Sequence, residues 1–186
     1  MEILPISAAS IKRARQIIKR GGLVIYPTET VYGLGADIFN PTAIKKIFLA
    51  KGRNFNKPLS IMVASLADLK KLVYLNQEQE KIVNGLLPGP FTLIFRKKKV
   101  VSKMITGGSP KLGLRWSSDK FCQQLVHHLP ITATSANLSD QGNALSIKKL
   151  AKDFRGQVDL ILTAKKMSGR PSRVIDLSVK PWRVLR

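Results

Sequence analysis

"GGLVIYPTETVYGLGADI", residues 21–38, is the stretch from which the rest of the chain can be read. Residues 23–26 have the length and apolar character of a buried strand. The run ends in Pro27, and the loop beyond it carries Thr28, Glu29, Thr30 and Tyr32 ahead of Gly33 and Gly35. One glycine or one Asn-Gly pair is enough to reverse a chain. A loop with two threonines and a carboxylate holds more chemistry than a turn needs. Upstream, residues 7–20 ("SAASIKRARQIIKR") space Ile11, Ala14 and Ile18 for a helix, with Ser7 or Ser10 as N-cap and Gly21-Gly22 as the stop. Downstream, Asn40 caps and Pro41 opens a second helix, "TAIKKIFLAK", with Ile44, Ile47 and Phe48 on one stripe.

The alternation continues. Strands are expected at 59–63, after the 88–90 turn in "PGPFTLIFRKK", and at 111–116, 130–134 and 158–163. Helices are expected around 65–73, 76–87, 118–129 and 146–154. "SRVIDL" and "WRVLR" close the chain as two more strands. This predicts an α/β fold around a buried, mixed sheet. With 186 residues, 44% of them hydrophobic, one globular domain over 1–186 is the expectation.

A single cysteine, Cys122, rules out an intramolecular disulfide and suits a reducing compartment. The N-terminus lacks a long apolar run, and no segment approaches the ~20 apolar residues of a membrane span. A soluble cytoplasmic protein with no membrane partner is expected. The charge is lopsided: 32 Lys and Arg against 11 Asp and Glu, net +21. No acid falls between Asp37 and Asp68 or between Glu80 and Asp119, the second span holding "RKKK" at 96–99. Such a surface attracts polyanions in a salt-dependent way, although charge runs also serve as plain solvated faces.

Several site chemistries are excluded by pattern. There is no G-x-x-x-x-G-K-[ST] loop, and "GLGADI" has Ile38 where a dinucleotide fingerprint needs its third glycine. His127 and His128 are adjacent and diverge on a helix, so with one cysteine they make no zinc site. They suit a helix C-terminus, where cations are favoured. No G-x-S-x-G occurs. Three connectors remain: the threonine-rich strand exit, "AKGRNFNKP" (50–58) with Lys51, Arg53 and Lys57 beside a helix end, and "TATSANLSDQGNA" (132–144). Helix-end chemistry explains Lys51 and Gly52 but not the two cations that follow. Ser and Asn in the third connector are also ordinary turn residues.

Taken in order, "PTETVYGLG" (27–35), "KGR" (51–53), "SAN-x-S" (135–139), "SGRPSRVID" (168–176) and the terminal "RVLR" resemble the threonylcarbamoyl-AMP synthases, the YrdC-like proteins, over essentially the whole chain. The length matches the short form of that family. The resemblance implies an open, twisted α/β sheet around a basic concavity. It implies condensation of L-threonine, bicarbonate or CO2, and ATP into L-threonylcarbamoyl-adenylate plus pyrophosphate, with Mg2+ accompanying ATP. Downstream tRNA threonylcarbamoyl-transferase proteins would then modify the adenosine next to the anticodon in tRNAs reading codons that begin with A. Site roles are implied as well. Lys51, Arg53, Lys57, Asn137 and Arg186 would bind ATP; Thr30, Arg115, Ser135 and Ser172 would bind threonine; no side chain would ligate metal. Hydroxyls would read a small hydroxylated amino acid, and the glycines would let backbone approach it. No protein nucleophile is then needed, since positioning and charge stabilisation suffice.

The chain departs from the family pattern in places. "RWSSD" follows Arg115 without the usual proline, and Met62 stands where long-form members often have a histidine. Asp140 replaces a common glycine, Arg173 follows Ser172 in place of a hydroxyl, and the sequence ends at Arg186, before a glycine the family often carries. The competing expectation is a non-catalytic RNA-binding module, resting on the charge and on Trp116 and Trp182 as stacking residues. A kinase-like nucleotide binder lacks both a P-loop and a catalytic-loop motif.

Overall fold

The computed structural model describes residues 1–139, 146–163 and 167–186; Asp140 and the rest of 140–145 lie outside them. The first half runs β1 (Glu2–Pro5), α1 (Ala8–Lys19), β2 (Val24–Tyr26), β3 (Gly33–Gly35), α2 (Pro41–Lys51), β4 (Ile61–Met62), α3 (Leu66–Leu72) and α4 (Gln77–Leu86). Then come β5 (Phe91–Arg96), α5 (Lys103–Thr106), β6 (Lys111–Arg115), α6 (Lys120–Val126), β7 (Ile131–Thr132) and β8 (Thr134–Ser135). The end holds α7 (Ile147–Asp153), β9 (Leu160–Thr163), β10 (Arg173–Asp176) and β11 (Arg183–Val184).

The α/β class expected from the sequence is found, with the strands of the described residues divided between two mixed sheets. One sheet has the order β1-β9-β2-β3-β8, the other β11-β10-β5-β6-β4-β7. The two serine candidates for capping α1 act together: Ser10 N donates to Ser7 Oγ (3.1 Å) and Ser7 N donates to Ser10 Oγ (2.8 Å). His127 is the C-cap of α6, as the sequence leads one to expect, and an arginine joins it there. Arg15 reaches over from α1 and donates to the carbonyls of Leu125 (2.6 Å) and His127 (2.9 Å).

β2 is buried on both faces, as its unbroken apolar run requires. Val24 and Tyr26 enter a cluster with Ala14, Ile18, Phe121 and Leu125, whereas Leu23 and Ile25 enter the larger cluster with Ile44, Ile47 and Phe48. The two sheets meet where β7 passes into β8, one residue apart. Thr132 N donates to Ala36 O (2.9 Å), and the buried Tyr26 hydroxyl donates to Thr132 O (3.1 Å). That crossing delivers residues 135–139 to the end of α2.

β3 was invisible in the sequence because it reads Gly-Leu-Gly. The glycines do not open room for a bound amino acid; they admit the Tyr26 ring. A Cβ at Gly33 would lie 2.7 Å from Tyr26 Cζ, and one at Gly35 would lie 2.9 Å from Tyr26 Cε1. Since the ring is fully buried, it has nowhere to move. Gly33→Ala is therefore expected to cost about 1–3 kcal/mol of stability by overpacking. Urea denaturation checks this, and an unchanged midpoint would show that the ring yields.

Candidate active site

The loop after β2 is organised by Thr28. Its hydroxyl donates to Val31 O (2.7 Å), accepts from Thr30 N (3.1 Å) and Val31 N (3.2 Å), and shares a 2.8 Å hydrogen bond with the Thr30 hydroxyl. Behind it, the Cys122 thiol of α6 donates to Pro27 O (3.3 Å). Burial pushes that thiol's pKa far up, so it stays neutral. Thr28 is thus a staple for its own turn, and Thr30 is held at the front.

Arg115 ends β6 in the other sheet and is 6% exposed. Its Nη2 donates to Thr30 Oγ1 (2.6 Å) and Glu29 Oε1 (2.7 Å), with Thr28 Oγ1 at 3.4 Å. The Ser117 hydroxyl donates to the second Glu29 oxygen. The Nε–H of Arg115 is buried without a hydrogen-bond partner among the described residues. A buried donor left unpaired costs stability, so this one is ready to take an acceptor. The 168–172 segment joins here, as Ser168 N donates to Glu29 O (3.2 Å) and Gly169 N to Thr30 O (2.9 Å).

Lys51 closes α2 and is 2% exposed. Gly52 behind it takes the left-handed conformation (φ 57°) that ends the helix. The ammonium turns inward. It donates to Ser135 O, to Asn137 O (2.7 Å) and to Asn137 Oδ1 (3.4 Å). In return Ser139 N donates to Lys51 O (2.9 Å), and the Ser135 hydroxyl donates to Asn137 Oδ1 (2.5 Å). Burial, reinforced by the nearby Arg53 charge, lowers the Lys51 pKa to about 7. Arg53 lies further out, donating to Pro58 O (2.9 Å) and Lys57 O (3.4 Å); Lys57 is exposed.

Ser172 immediately precedes β10 and Arg186 follows β11, at the edge of the second sheet. The buried Ser172 hydroxyl shares a 2.8 Å hydrogen bond with Thr92, and Arg186 Nε donates to Ser172 O (3.2 Å). They line a cleft of about 280 Å3 with Ser60 and with Lys111, which is paired to Asp176 at 2.8 Å. Gly113 also lines it, and Arg115, two residues on in β6, projects from the same face.

The nine residues singled out in the sequence therefore form four contact groups: Thr30 with Arg115; Lys51 with Ser135 and Asn137; Arg53 with the Lys57 carbonyl; Ser172 with Arg186. Short backbone links join them. Ala133 N donates to Ser60 O (2.7 Å), Ala136 N to Tyr32 O (2.8 Å), and Gly169 ties the Ser172 segment to Thr30. Sequence reasoning overlooked Glu29 and Ser117 as site residues. A signal existed for Glu29, the sole acid between Glu2 and Asp37 in a strongly basic chain. Trp116 packs against the larger core cluster and so is no open stacking platform, whereas Trp182 is 37% exposed, with the Lys180 ammonium 5.8 Å from its ring.

A family model, Sua5_yciO_yrdC, described as "Telomere recombination", matches residues 16–186. The chain belongs to the Sua5/YciO/YrdC family. Among family members, the Threonylcarbamoyl-AMP synthase of Pyrococcus abyssi is 38% identical over 180 residues, covering 95% of this chain and 53% of that protein. The Putative threonylcarbamoyl-AMP synthase of Methanocaldococcus jannaschii is 30% identical over 182 residues, covering 95% and 86% respectively. The crystal structure of P. abyssi Sua5 complexed with L-threonine superposes with a TM-score of 0.92 at 36% identity, over all of this chain and 56% of that one. This Sua5/YciO/YrdC chain thus spans about half the length of the P. abyssi relative and most of the M. jannaschii one.

Proposed function

We propose that this chain condenses L-threonine, bicarbonate or CO2, and ATP into L-threonylcarbamoyl-adenylate, releasing pyrophosphate. The observation that carries the proposal is the buried Lys51 ammonium gripping the Ser135–Asn137 backbone next to Arg53. It brings two separate connectors of a Sua5/YciO/YrdC chain into one cationic wall. The names of the two relatives and the threonine bound to P. abyssi Sua5 support the same reading.

In this mechanism Arg115 holds the threonine carboxylate through its Nε–H, which has no partner among the described residues, a charge-assisted contact. Thr30, Ser135 and Ser172 surround the side chain. The amine, once its ammonium has lost a proton, forms an N–C bond to CO2 and gives up a second proton to solvent. An oxygen of the resulting N-carboxylate attacks the α-phosphorus, and the bond to the pyrophosphate oxygen breaks. Arg53 and Lys57 neutralise the triphosphate, Arg186 and Asn137 hold the nucleotide, and Lys51 keeps Asn137 in place. Cations and neutral oxygens make this wall suited to phosphate rather than to a bare divalent ion. Mg2+ enters with ATP as its counter-ion, and charge stabilisation at the transferring phosphorus is the main catalytic effect.

The product is a reactive mixed anhydride fit for transfer to tRNA by partner proteins in the cytoplasm, and the basic surface suits a salt-sensitive encounter with RNA. Among the described residues no helix is long and apolar enough to cross a membrane.

Arg53→Ala is expected to reduce pyrophosphate release at least ~100-fold, the scale of removing one charge stabiliser. Its loss should change the melting temperature little, since its guanidinium donates to the loop carbonyls of Lys57 and Pro58 in an exposed segment. Pyrophosphate should form only when threonine and bicarbonate are both supplied. An undiminished rate in the variant, or threonine-independent turnover, contradicts the proposal.

A further inference from the structure

We propose that Glu29 is a positioning residue for threonine recognition: fixed between Ser117 and Arg115, its carboxylate aims the Arg115 guanidinium at the substrate carboxylate. This rests on the function proposed above and deepens it.

Both Glu29 oxygens are engaged, one by Arg115 Nη2 at 2.7 Å and the other by the Ser117 hydroxyl. Its backbone carbonyl accepts from Ser168 N at 3.2 Å. Ser117 is fully buried and held in turn: its Oγ accepts from Asp119 N (3.1 Å) and its carbonyl accepts from Gln123 Nε2 (2.9 Å). Asp119 is the N-cap of α6, so the chain of contacts ends on a helix. A guanidinium is a rigid planar fork. Pinning Nη2 from Glu29 and Thr30 therefore fixes the direction of every other N–H, including the buried Nε–H that has no partner among the described residues.

The same contacts argue against Glu29 as a removable placeholder for the substrate. Releasing it would break the Arg115 ion pair and the Ser117 bond together, leaving a carboxylate that is only 20% exposed without a partner. The arrangement also gives a purpose to the "RWSSD" segment, where the chain departs from the family pattern: it supplies the hydroxyl that locks Glu29.

The test measures binding of L-threonine and of Mg-ATP separately by calorimetry, with KM for each from pyrophosphate release, in wild type, Glu29→Gln and Ser117→Ala. Glu29→Gln keeps the size but turns one oxygen into a donor facing Arg115 or Ser117. Threonine Kd and KM are expected to rise about tenfold or more, equivalent to about 1.4 kcal/mol, with the ATP values within twofold of wild type. Ser117→Ala should show the same selectivity with a smaller rise. Unchanged threonine affinity in both variants, tighter binding in Glu29→Gln, or equal losses for ATP and threonine would overturn this role while leaving the proposed reaction standing. A wild-type protein that does not bind threonine overturns both.

Discussion

Replacing Lys51 by methionine should cut pyrophosphate release by at least ~100-fold while shifting the melting temperature only modestly. Methionine fills a similar volume but offers no donor, so Ser135 O, Asn137 O and Asn137 Oδ1 each lose one donor, although Asn137 N still serves Ser135 O and the Ser135 hydroxyl still serves Asn137 Oδ1. A buried acceptor that loses its hydrogen bond costs about 1–3 kcal/mol. Against that, the variant no longer buries an ammonium, and the two effects oppose. The activity loss has no such offset, because Asn137 and Ser135 are released from the wall they form with Arg53, and misplacement by about 1 Å is enough for a 100-fold loss.

The depressed pKa adds a second readout. Below about pH 7 the amine is protonated in folded and unfolded chains alike; between about 7 and its ordinary 10.5 the unfolded chain holds a proton that the folded one lacks. Stability should therefore rise with pH across that window, and the methionine variant should lose that contribution. In kcat/KM for ATP, which reports the free enzyme, activity should fall as pH rises through about 7. In kcat the fall should come later, since bound polyphosphate favours the cation. A wild type and variant with parallel pH dependences of stability would contradict the buried charge.

The second large effect is expected for Arg115→Met. It leaves the partly buried Glu29 carboxylate with Ser117 in place of the ion pair. Breaking one side of a buried ion pair costs roughly 3–5 kcal/mol, and the partial exposure of Glu29 places the expected loss near ~3 kcal/mol. Adding Glu29→Gln should recover part of that stability, because the unpaired charge is gone. It should not recover catalysis: kcat/KM for threonine should stay at least ~100-fold down, with ATP binding little changed. If the single variant were as stable as wild type, the pair would not be the staple between the two sheets.

The elements that could be read from sequence were those with strong local signals. α1 and α2 have caps, apolar stripes and terminal glycines, and both lie within a residue of their expected limits. β1 and β3 were not foreseen. β1 is four residues ending in proline, and β3 owes its existence to the Tyr26 ring packed over two glycines, a tertiary fact. The division into two sheets depends on β7 and β8 belonging to different sheets despite being one residue apart, which no periodicity reveals.

Lys51 was read as a dipole-friendly cation at a helix end. Its spacing from Ile44, Ile47 and Phe48 puts it on their buried stripe, and a lysine at such a position needs an internal partner. That partner, the 135–139 backbone, lies more than eighty residues away, so the clue was local but the explanation was not. Arg115 was assigned through the family resemblance, whereas the Glu29–Ser117 contact that fixes it joins residues 88 positions apart.

The central claim is that one basin binds ATP through the Lys51–Arg53 wall and threonine through Arg115. The most direct measurement is mass-spectrometric detection of threonylcarbamoyl-adenylate in a mixture of this protein, ATP, Mg2+, L-threonine and bicarbonate. The account predicts the adduct in the complete mixture, its absence when threonine or bicarbonate is omitted, and its loss with Arg53→Ala. Folded protein that binds RNA but yields no adduct in the complete mixture would contradict it.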